Sequence, residues 1–253
     1  MDIRTDLALE ARESYGGDDV EIPGVILEKE KSRENITITR VVIKNDEGAK
    51  AMGKPVGNYI TIEVPMLIEQ EEFDKNGLVD ELSSHIKKLI KTYRRVLVVG
   101  LGNREATPDS LGPRTIEKLN IYGSDEWEIQ AIAPGVMAQT GMETASIIKA
   151  IVKEMKPDIA VVIDSLAARN IKRLITSIQV SDTGISPGSG VRNHRQGLCH
   201  ETLGIDVIAL GIPTVIELVH ASIKELFVTP KDIDEHINTL TEIISKALNK
   251  IWT

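Results

Sequence analysis

The sequence predicts an α/β protein with an open, mostly parallel sheet, helices on both faces and a small antiparallel β meander near its start. Short runs of consecutive apolar residues, separated by helical segments, are typical of parallel strands that helices cover on both faces. An earlier stretch alternates apolar and polar residues, as half-exposed antiparallel strands do. With 253 residues, of which 42% are hydrophobic, the chain can bury a sizeable core. We predict a single domain over residues 1–253.

The alternating stretch extends from residue 24 to residue 65. Apolar side chains occupy every second position in ITITRVVI (Ile36–Ile43) and in NYITIEVP (Asn58–Pro65), which predicts a β-meander lobe over 24–65. From residue 70 to 93 the spacing becomes helical, with apolar residues on one face and charges elsewhere. We expect this helix to lead into the α/β core, residues 94–253.

Four apolar runs mark the predicted parallel strands. They are VLVVG (Val96–Gly100), IQAIAPG (Ile129–Gly135), IAVVIDS (Ile159–Ser165) and DVIALGIPT (Asp206–Thr214). Beyond Pro230 the apolar residues return to helical spacing, which predicts a final helix packed on the sheet.

Charge and composition exclude several classes of partner. The chain has 38 acidic against 30 basic residues and a net charge of −8, which repels phosphate backbones and argues against direct nucleic-acid binding. No apolar run is long enough to cross a bilayer, and the amino terminus lacks the pattern of a signal peptide. Cys199 is the only cysteine, as suits a reducing compartment. We expect a cytoplasmic protein with no membrane partner.

Two aspartates follow predicted strands and are the candidate catalytic residues. Asp164 ends the run IAVVI, and Asp109 lies at the tip of a Thr-Pro-Asp turn after VLVVG. Ligand and active sites of open parallel sheets lie at the carboxyl ends of the strands, where these residues fall. A close carboxylate pair shares one proton and so supplies an acid and a base at the same pH. Such a pair can activate water against an amide.

Structural roles for both aspartates stay open at this point. Asp109 could be a helix cap after Pro108, since Asp is favoured where helix amides need an acceptor. Asp164 could hold a neighbouring loop or pair with Arg169.

Two glycine-containing loops are candidate oxyanion or substrate loops. GLGN (Gly100–Asn103) is a weak dinucleotide motif, because Glu105 stands where the third glycine is required. Its residues Gly102 and Asn103 could instead present amides to a developing oxyanion. The loop SPGSGVRN (Ser186–Asn193) could do the same, or bind a substrate strand, through Gly188, Ser189 and Gly190. A tight surface loop is the alternative for the second one.

Long blocks of the chain resemble the germination proteases of spore-forming bacteria. They are RTDLALEA, VVGLGNREATPDSLGP, IAPGVMAQTGMETASIIKAIV, PDIAVVIDSLAAR, TSIQVSDTGISPGSGV, ETLGIDVIALGIPTVIE and VTPKDIDEHI. The resemblance implies an atypical aspartic endopeptidase, with Asp109 and Asp164 as the implicated aspartates, that degrades small acid-soluble spore proteins during germination. It also implies a homotetrameric zymogen in the cytoplasm of the forespore and in the spore core.

The resemblance further implies autocatalytic processing near the amino terminus. The family cleaves after an acidic residue that is followed by an apolar residue and Ala, and the stretch TDLALEA matches that motif. The predicted scissile bond is Asp6–Leu7, which makes residues 1–6 a candidate propeptide. A first helical turn with Asp6 near its start is the alternative interpretation.

Two other functions remain open. The pattern GLGN, a Thr-Pro-Asp turn and a strand-end Asp also resembles the hydrogenase-maturation endopeptidases, which add a histidine to two acids. Candidates for it are His194, His200 and His220, but no two of them have metal-ligand spacing, so we predict no metal and no cofactor. A non-catalytic spore paralogue is the second alternative.

Overall fold

One mixed β-sheet connects the two halves of the chain. The computed structural model describes residues 5–67, 74–90, 93–121, 126–186, 196–220 and 223–252. The strands within these ranges are β1 (Val25–Arg33), β2 (Ile36–Ile43), β3 (Gly57–Glu63), β4 (Arg95–Gly100), β5 (Glu128–Ile132), β6 (Ile159–Ala168), β7 (Ser177–Ser181), β8 (Asp206–His220) and β9 (Ile223–Val228). Their order across the sheet is β1-β2-β3-β7-β8-β6-β4-β5, and β9 pairs with β8.

The centre of the sheet is parallel. Strand β6 pairs in parallel with β4 on one side and with β8 on the other, and β5 pairs in parallel with β4. Strand β4 ends at Gly100, which pairs with Ile163 of β6, so the loop that carries Asp109 begins next to Asp164, while β6 itself continues to Ala168. The predicted fold class is confirmed.

The meander is an extension of this same sheet. Strands β1, β2 and β3 are antiparallel, and β3 pairs with β7, which in turn pairs antiparallel with β8. This joins the meander to the parallel strands through backbone hydrogen bonds. A short helix that the spacing did not predict, α2 (Asp46–Met52), connects β2 to β3.

Helices cover both faces, as the doubly apolar strands require. Besides α2 they are α1 (Ala8–Glu13), α3 (Lys75–Ile90), α4 (Leu111–Glu117), α5 (Met137–Thr140), α6 (Thr144–Met155), α7 (His200–Leu203) and α8 (Ile233–Trp252). Val96 and Val98 of β4 belong to one buried cluster with residues of α3 and α8, whereas Leu97 and Val99 belong to another with residues of α6. Alternate residues of one strand thus fill two cores.

Candidate active site

Asp109 and Asp164 line one cavity at the carboxyl edge of the parallel strands. The cavity has a volume of about 280 Å³, and its lining also includes Gly102, Ser165 and Thr214. Asp109 ends a 3₁₀ turn, Thr107–Asp109, in the connection after β4, and Asp164 lies within β6. The two carboxylates that the sequence placed at strand ends are therefore brought to one site.

The loop after β4 is shaped around Asp109. The backbone N–H of Asn103 donates to Oδ2 of Asp109 at 2.8 Å, which holds the carboxylate against the loop. Gly102 has a φ of +113°, and a Cβ there would lie well inside contact distance of the Asp109 carbonyl oxygen. Only glycine combines this backbone conformation with so close an approach. Gly102 and Asn103 thus support the aspartate, and their proposed contact with an oxyanion stays a prediction.

Asp164 is held by the sheet itself. Only 6% of it is exposed, and its Oδ1 accepts the backbone N–H of Ser165 at 2.9 Å. The preceding residue, Ile163, accepts a hydrogen bond from the backbone N–H of Leu101 at 2.8 Å, which ties the start of the loop that carries Asp109 to the strand that carries Asp164. A carboxylate on a central strand is a rigidly placed group.

Two hydroxyls of the cavity lining are available to a substrate or to water. The side-chain oxygens of Ser165 and Thr214 are buried, and neither has a hydrogen-bond partner among the described residues. Buried polar atoms are normally paired, and those in a site that lack a partner are often satisfied by water or ligand.

A segment close to the amino terminus borders this site through Asp6. We refer to Thr5–Ala11 as the docked segment. Asp6 lines the cavity together with Asp109 and Asp164, and its Oδ2 accepts the backbone N–H of Ala167 at 3.0 Å. Leu7 is fully buried and has an extended backbone, with φ −86° and ψ 125°, immediately before α1. The helix predicted as the alternative does form, but it begins at Ala8, after the Asp6–Leu7 bond.

Side chains of the meander and of β7 contact the backbone around this bond. The Asp6 carbonyl oxygen accepts hydrogen bonds from Lys54 Nζ at 3.0 Å and from Gln179 Nε2 at 3.3 Å. The Oε1 atom of Gln179 accepts the backbone N–H of Ala8 at 2.7 Å. Both peptide groups that flank Leu7 are thus bound.

A second acidic residue anchors the docked segment further along. The carboxylate of Glu10 accepts the backbone N–H of Arg169, at 3.1 and 3.2 Å, and that of Asn170 at 2.9 Å. The hydroxyl of Thr5 also donates to Glu10. The turn after β6 therefore presents a pair of backbone donors to a carboxylate four residues beyond Asp6.

Burial changes the pKa of Lys54, the cation that donates to the Asp6 carbonyl oxygen. Desolvation lowers the pKa of Lys54 from its ordinary value, and the negative charges of Asp6 and Glu10 partly oppose this shift. Burial disfavours the charged form of a lysine, whereas nearby carboxylates favour it.

The remaining predicted residues lie elsewhere. Gly188, Ser189, Gly190 and His194 are outside the described residues, as is the side chain of His220. His200 is exposed, with Nδ1 at 3.1 Å from Asp206. Among the residues that the structure describes, no group of three or more His, Cys, Asp or Glu is arranged to hold a metal ion.

Sequence reasoning missed Lys54, Gln179 and the backbone donors of the turn after β6. Gln179 gives a faint signal, since it is a long polar side chain in the middle of the strand Ser177–Ser181. Lys54 gives none, because a lysine in a turn is ordinarily solvated.

The fold and the site define a class of protein: an α/β protein with a carboxylate-lined cleft in which a segment of polypeptide is bound. The family model for germination proteases, a peptidase family, matches residues 4–224. The chain belongs to the germination protease family, and its function is that of a protease.

Named relatives agree with this family. The chain is 45% identical to a germination protease of Caldanaerobacter subterraneus subsp. tengcongensis, over 93% of this chain and 76% of the relative. It is 38% identical to one of Clostridium perfringens, over 98% of this chain and 94% of the relative. Identity to one of Priestia megaterium is 41%, over 86% of this chain and 64% of the relative.

A solved structure resembles part of the chain. A nickel–iron hydrogenase maturation protease from Thermococcus kodakarensis is similar over 65% of this chain and 98% of its own, with a TM-score of 0.39 and 20% identity.

In the described part of the chain, no helix is both long and apolar enough to cross a membrane.

Proposed function

We propose that this protein is an endopeptidase that cleaves its own Asp6–Leu7 bond and then degrades small acid-soluble spore proteins, with Asp109 and Asp164 as the acid–base pair. The observation that carries the proposal is the position of Asp6, which lines the same cavity as both aspartates while Leu7 is fully buried. Hydrolysis requires the peptide bond to be held near its catalytic groups, so the position of Asp6 in this cavity lining supports the proposal.

The proposed chemistry needs one ionised and one protonated carboxyl group. The ionised group takes a proton from water as the water oxygen attacks the Asp6 carbonyl carbon, and the protonated group donates to the Leu7 nitrogen as the C–N bond breaks. A new carboxyl group forms on Asp6 and a new amine on Leu7. A coupled pair titrates as a unit, so either aspartate can begin as the base.

Family membership supports the wider parts of the proposal. Small acid-soluble spore proteins as substrates, a homotetramer, and a location in the cytoplasm of the forespore and in the spore core are properties that resemblance to the germination proteases implies. The acidic residues of the docked segment suggest which feature of a substrate the protease recognises: a carboxylate before the scissile bond and a second one four residues later.

An intact-mass time course of the full chain tests the catalytic part. The wild type is expected to lose residues 1–6, while Asp109→Asn and Asp164→Asn remain intact. Asp19→Asn is the matched control, because Asp19 is an exposed carboxylate outside the cavity lining. A wild type that neither shortens nor cleaves an added spore protein would contradict the proposal. Processing in both aspartate variants would contradict only the assignment of Asp109 and Asp164 as the acid–base pair.

A further inference from the structure

Two side chains hold the carbonyl oxygen of the Asp6–Leu7 peptide group. Lys54 Nζ donates to it at 3.0 Å and Gln179 Nε2 donates at 3.3 Å. This oxygen is the atom on which negative charge develops when water adds to the carbonyl carbon. Donors to such an oxygen accelerate hydrolysis to the extent that their hydrogen bonds strengthen as the negative charge develops.

Strand pairing and two side-chain hydrogen bonds fix the position of Gln179. Its strand β7 lies between β3 and β8, and only 8% of the residue is exposed. Its amide donates to the Asp6 carbonyl and accepts the N–H of Ala8, so it spans the peptide bonds on both sides of Leu7. Since the two ends of the amide have opposite roles, these two contacts define its orientation.

Sheet register puts Gln179 and Asp164 in the same row of the sheet, two strands apart. Gly211 of β8 pairs with Asp164 of β6 on one side and with Gln179 of β7 on the other. Residues in one row of a sheet project to the same face, and two strand spacings amount to about 10 Å. Because Gly211 has no side chain, that of Leu166 packs directly over it, and Leu166 lines both the cavity that contains Asp164 and the neighbouring one that contains Gln179.

Lys54 adds a cation to the same oxygen. It follows Gly53, which ends α2 in the left-handed conformation with φ +60°, and it precedes Pro55. This turn directs a half-buried ammonium group toward the docked segment. Hydrogen bonds to an ionised group are about twice as strong as neutral ones, and the gain increases when the acceptor also becomes charged.

We propose that Lys54 and Gln179 are catalytic residues that stabilise the oxyanion during peptide-bond hydrolysis. The inference rests on the proposed function, because it requires that the Asp6–Leu7 bond be hydrolysed. As the water oxygen bonds to the Asp6 carbonyl carbon, one aspartate takes the water proton and the C=O electron pair moves onto the held oxygen. The pair then re-forms C=O, the C–N bond breaks, and the other aspartate gives its proton to the Leu7 nitrogen.

The test is the rate of self-processing of the full chain, followed by intact mass. Lys54→Met and Gln179→Glu are each expected to slow the reaction by about 10²–10³-fold, the usual effect of losing one oxyanion donor. Gln179→Glu keeps an oxygen for the Ala8 N–H, removes the donor and adds a negative charge beside the developing oxyanion. Lys54→Arg is expected to recover part of the rate. Lys50→Met is the matched control, since Lys50 is exposed in the last turn of α2.

Hydrogen exchange over residues 5–13, with thermal unfolding, separates catalysis from docking. Slow cleavage with unchanged exchange and an unchanged Tm supports the inference. Slow cleavage with lost protection of residues 5–13 would overturn it, because the two side chains would then only hold the segment. Wild-type rates in both variants, with Asp109→Asn inactive, would overturn it and leave the proposed function standing. An inactive wild type would remove both.

Discussion

The carboxylate of Asp6 accepts the backbone N–H of Ala167 at 3.0 Å, three residues beyond Asp164 on the same strand. This donor has a fixed position because β6 pairs with β8 at Ala167. The acidic side chain before the proposed scissile bond therefore contacts the same strand that carries one of the two cavity aspartates. Recognition and the proposed chemistry share one rigid element.

Replacing Asp6 by Asn tests this recognition. The amide keeps an oxygen that can accept the Ala167 N–H, but the bond loses its charge, and hydrogen bonds to charged groups contribute about 1 kcal/mol more than neutral ones. We expect self-processing of Asp6→Asn to be roughly five- to tenfold slower, as measured by intact mass. Asp6→Glu keeps the charge and serves as the control. Equal rates for wild type and Asp6→Asn would show that the charge is not read.

Glu10 is expected to determine how firmly the segment docks. Its carboxylate accepts the N–H groups of Arg169 and Asn170, and truncation to Ala removes both bonds. We expect Glu10→Ala to lower the free energy of unfolding by about 1.5–3 kcal/mol. Hydrogen exchange over residues 5–13 should become faster. Glu21→Ala, at an exposed position, is the matched control. Unchanged exchange in Glu10→Ala would contradict the anchoring role.

Gly102 is expected to tolerate no side chain. In Gly102→Ala the new methyl group would collide with the Asp109 carbonyl, and the positive φ is itself unfavourable for alanine. We expect self-processing to fall by at least tenfold, because the Asp109 carboxylate is displaced. The matched control is Gly141→Ala, which has a positive φ but open space around its Cβ, and should cost only about 1 kcal/mol of stability. Similar rates for the two variants would refute the steric argument.

The lowered pKa of Lys54 predicts a specific pH dependence of stability. Because burial lowers this pKa in the folded state, the unfolded chain binds more protons between that pKa and the ordinary value of 10.5. The contribution of Lys54 to the free energy of unfolding therefore rises with pH across that window. Below the window Lys54 is charged in both states, and the full cost of burying that charge lowers the stability of the fold. Chemical denaturation of wild type and Lys54→Met at several pH values checks this. The stability of the wild type relative to the variant should increase toward pH 10.5, and a constant difference would count against burial as the cause.

Much of the fold could be predicted from residue patterns. The runs at Val96–Gly100 and Ile159–Ile163 are apolar at every position, and only strands covered on both faces bury such residues completely. The alternation in Ile36–Ile43 likewise predicted the meander. Its attachment through β3 and β7 had no local signal, because pairing between strands more than 110 residues apart depends on tertiary contacts.

The candidate site likewise contains residues that the sequence could predict and residues that it could not. Asp109 and Asp164 were found because Asp164 directly follows the apolar run IAVVI and Asp109 lies in the loop after the run VLVVG, and sites of parallel sheets lie where such runs end. Lys54 and Gln179 could not be found, since they reach Asp6 from residues 48 and 173 positions away in the chain.

The sequence by itself determined the apolar runs of the parallel strands, the alternating strands of the meander and the two candidate aspartates, because these follow from local periodicity and a general rule of sheet topology. Only the tertiary structure decided that Asp6 lies in their cavity, with its carbonyl oxygen held by Lys54 and Gln179. The physical reason is that hydrogen bonds of this kind depend on positions in space. Those positions are fixed when the amino-terminal segment, the turn after α2 and strand β7 pack together.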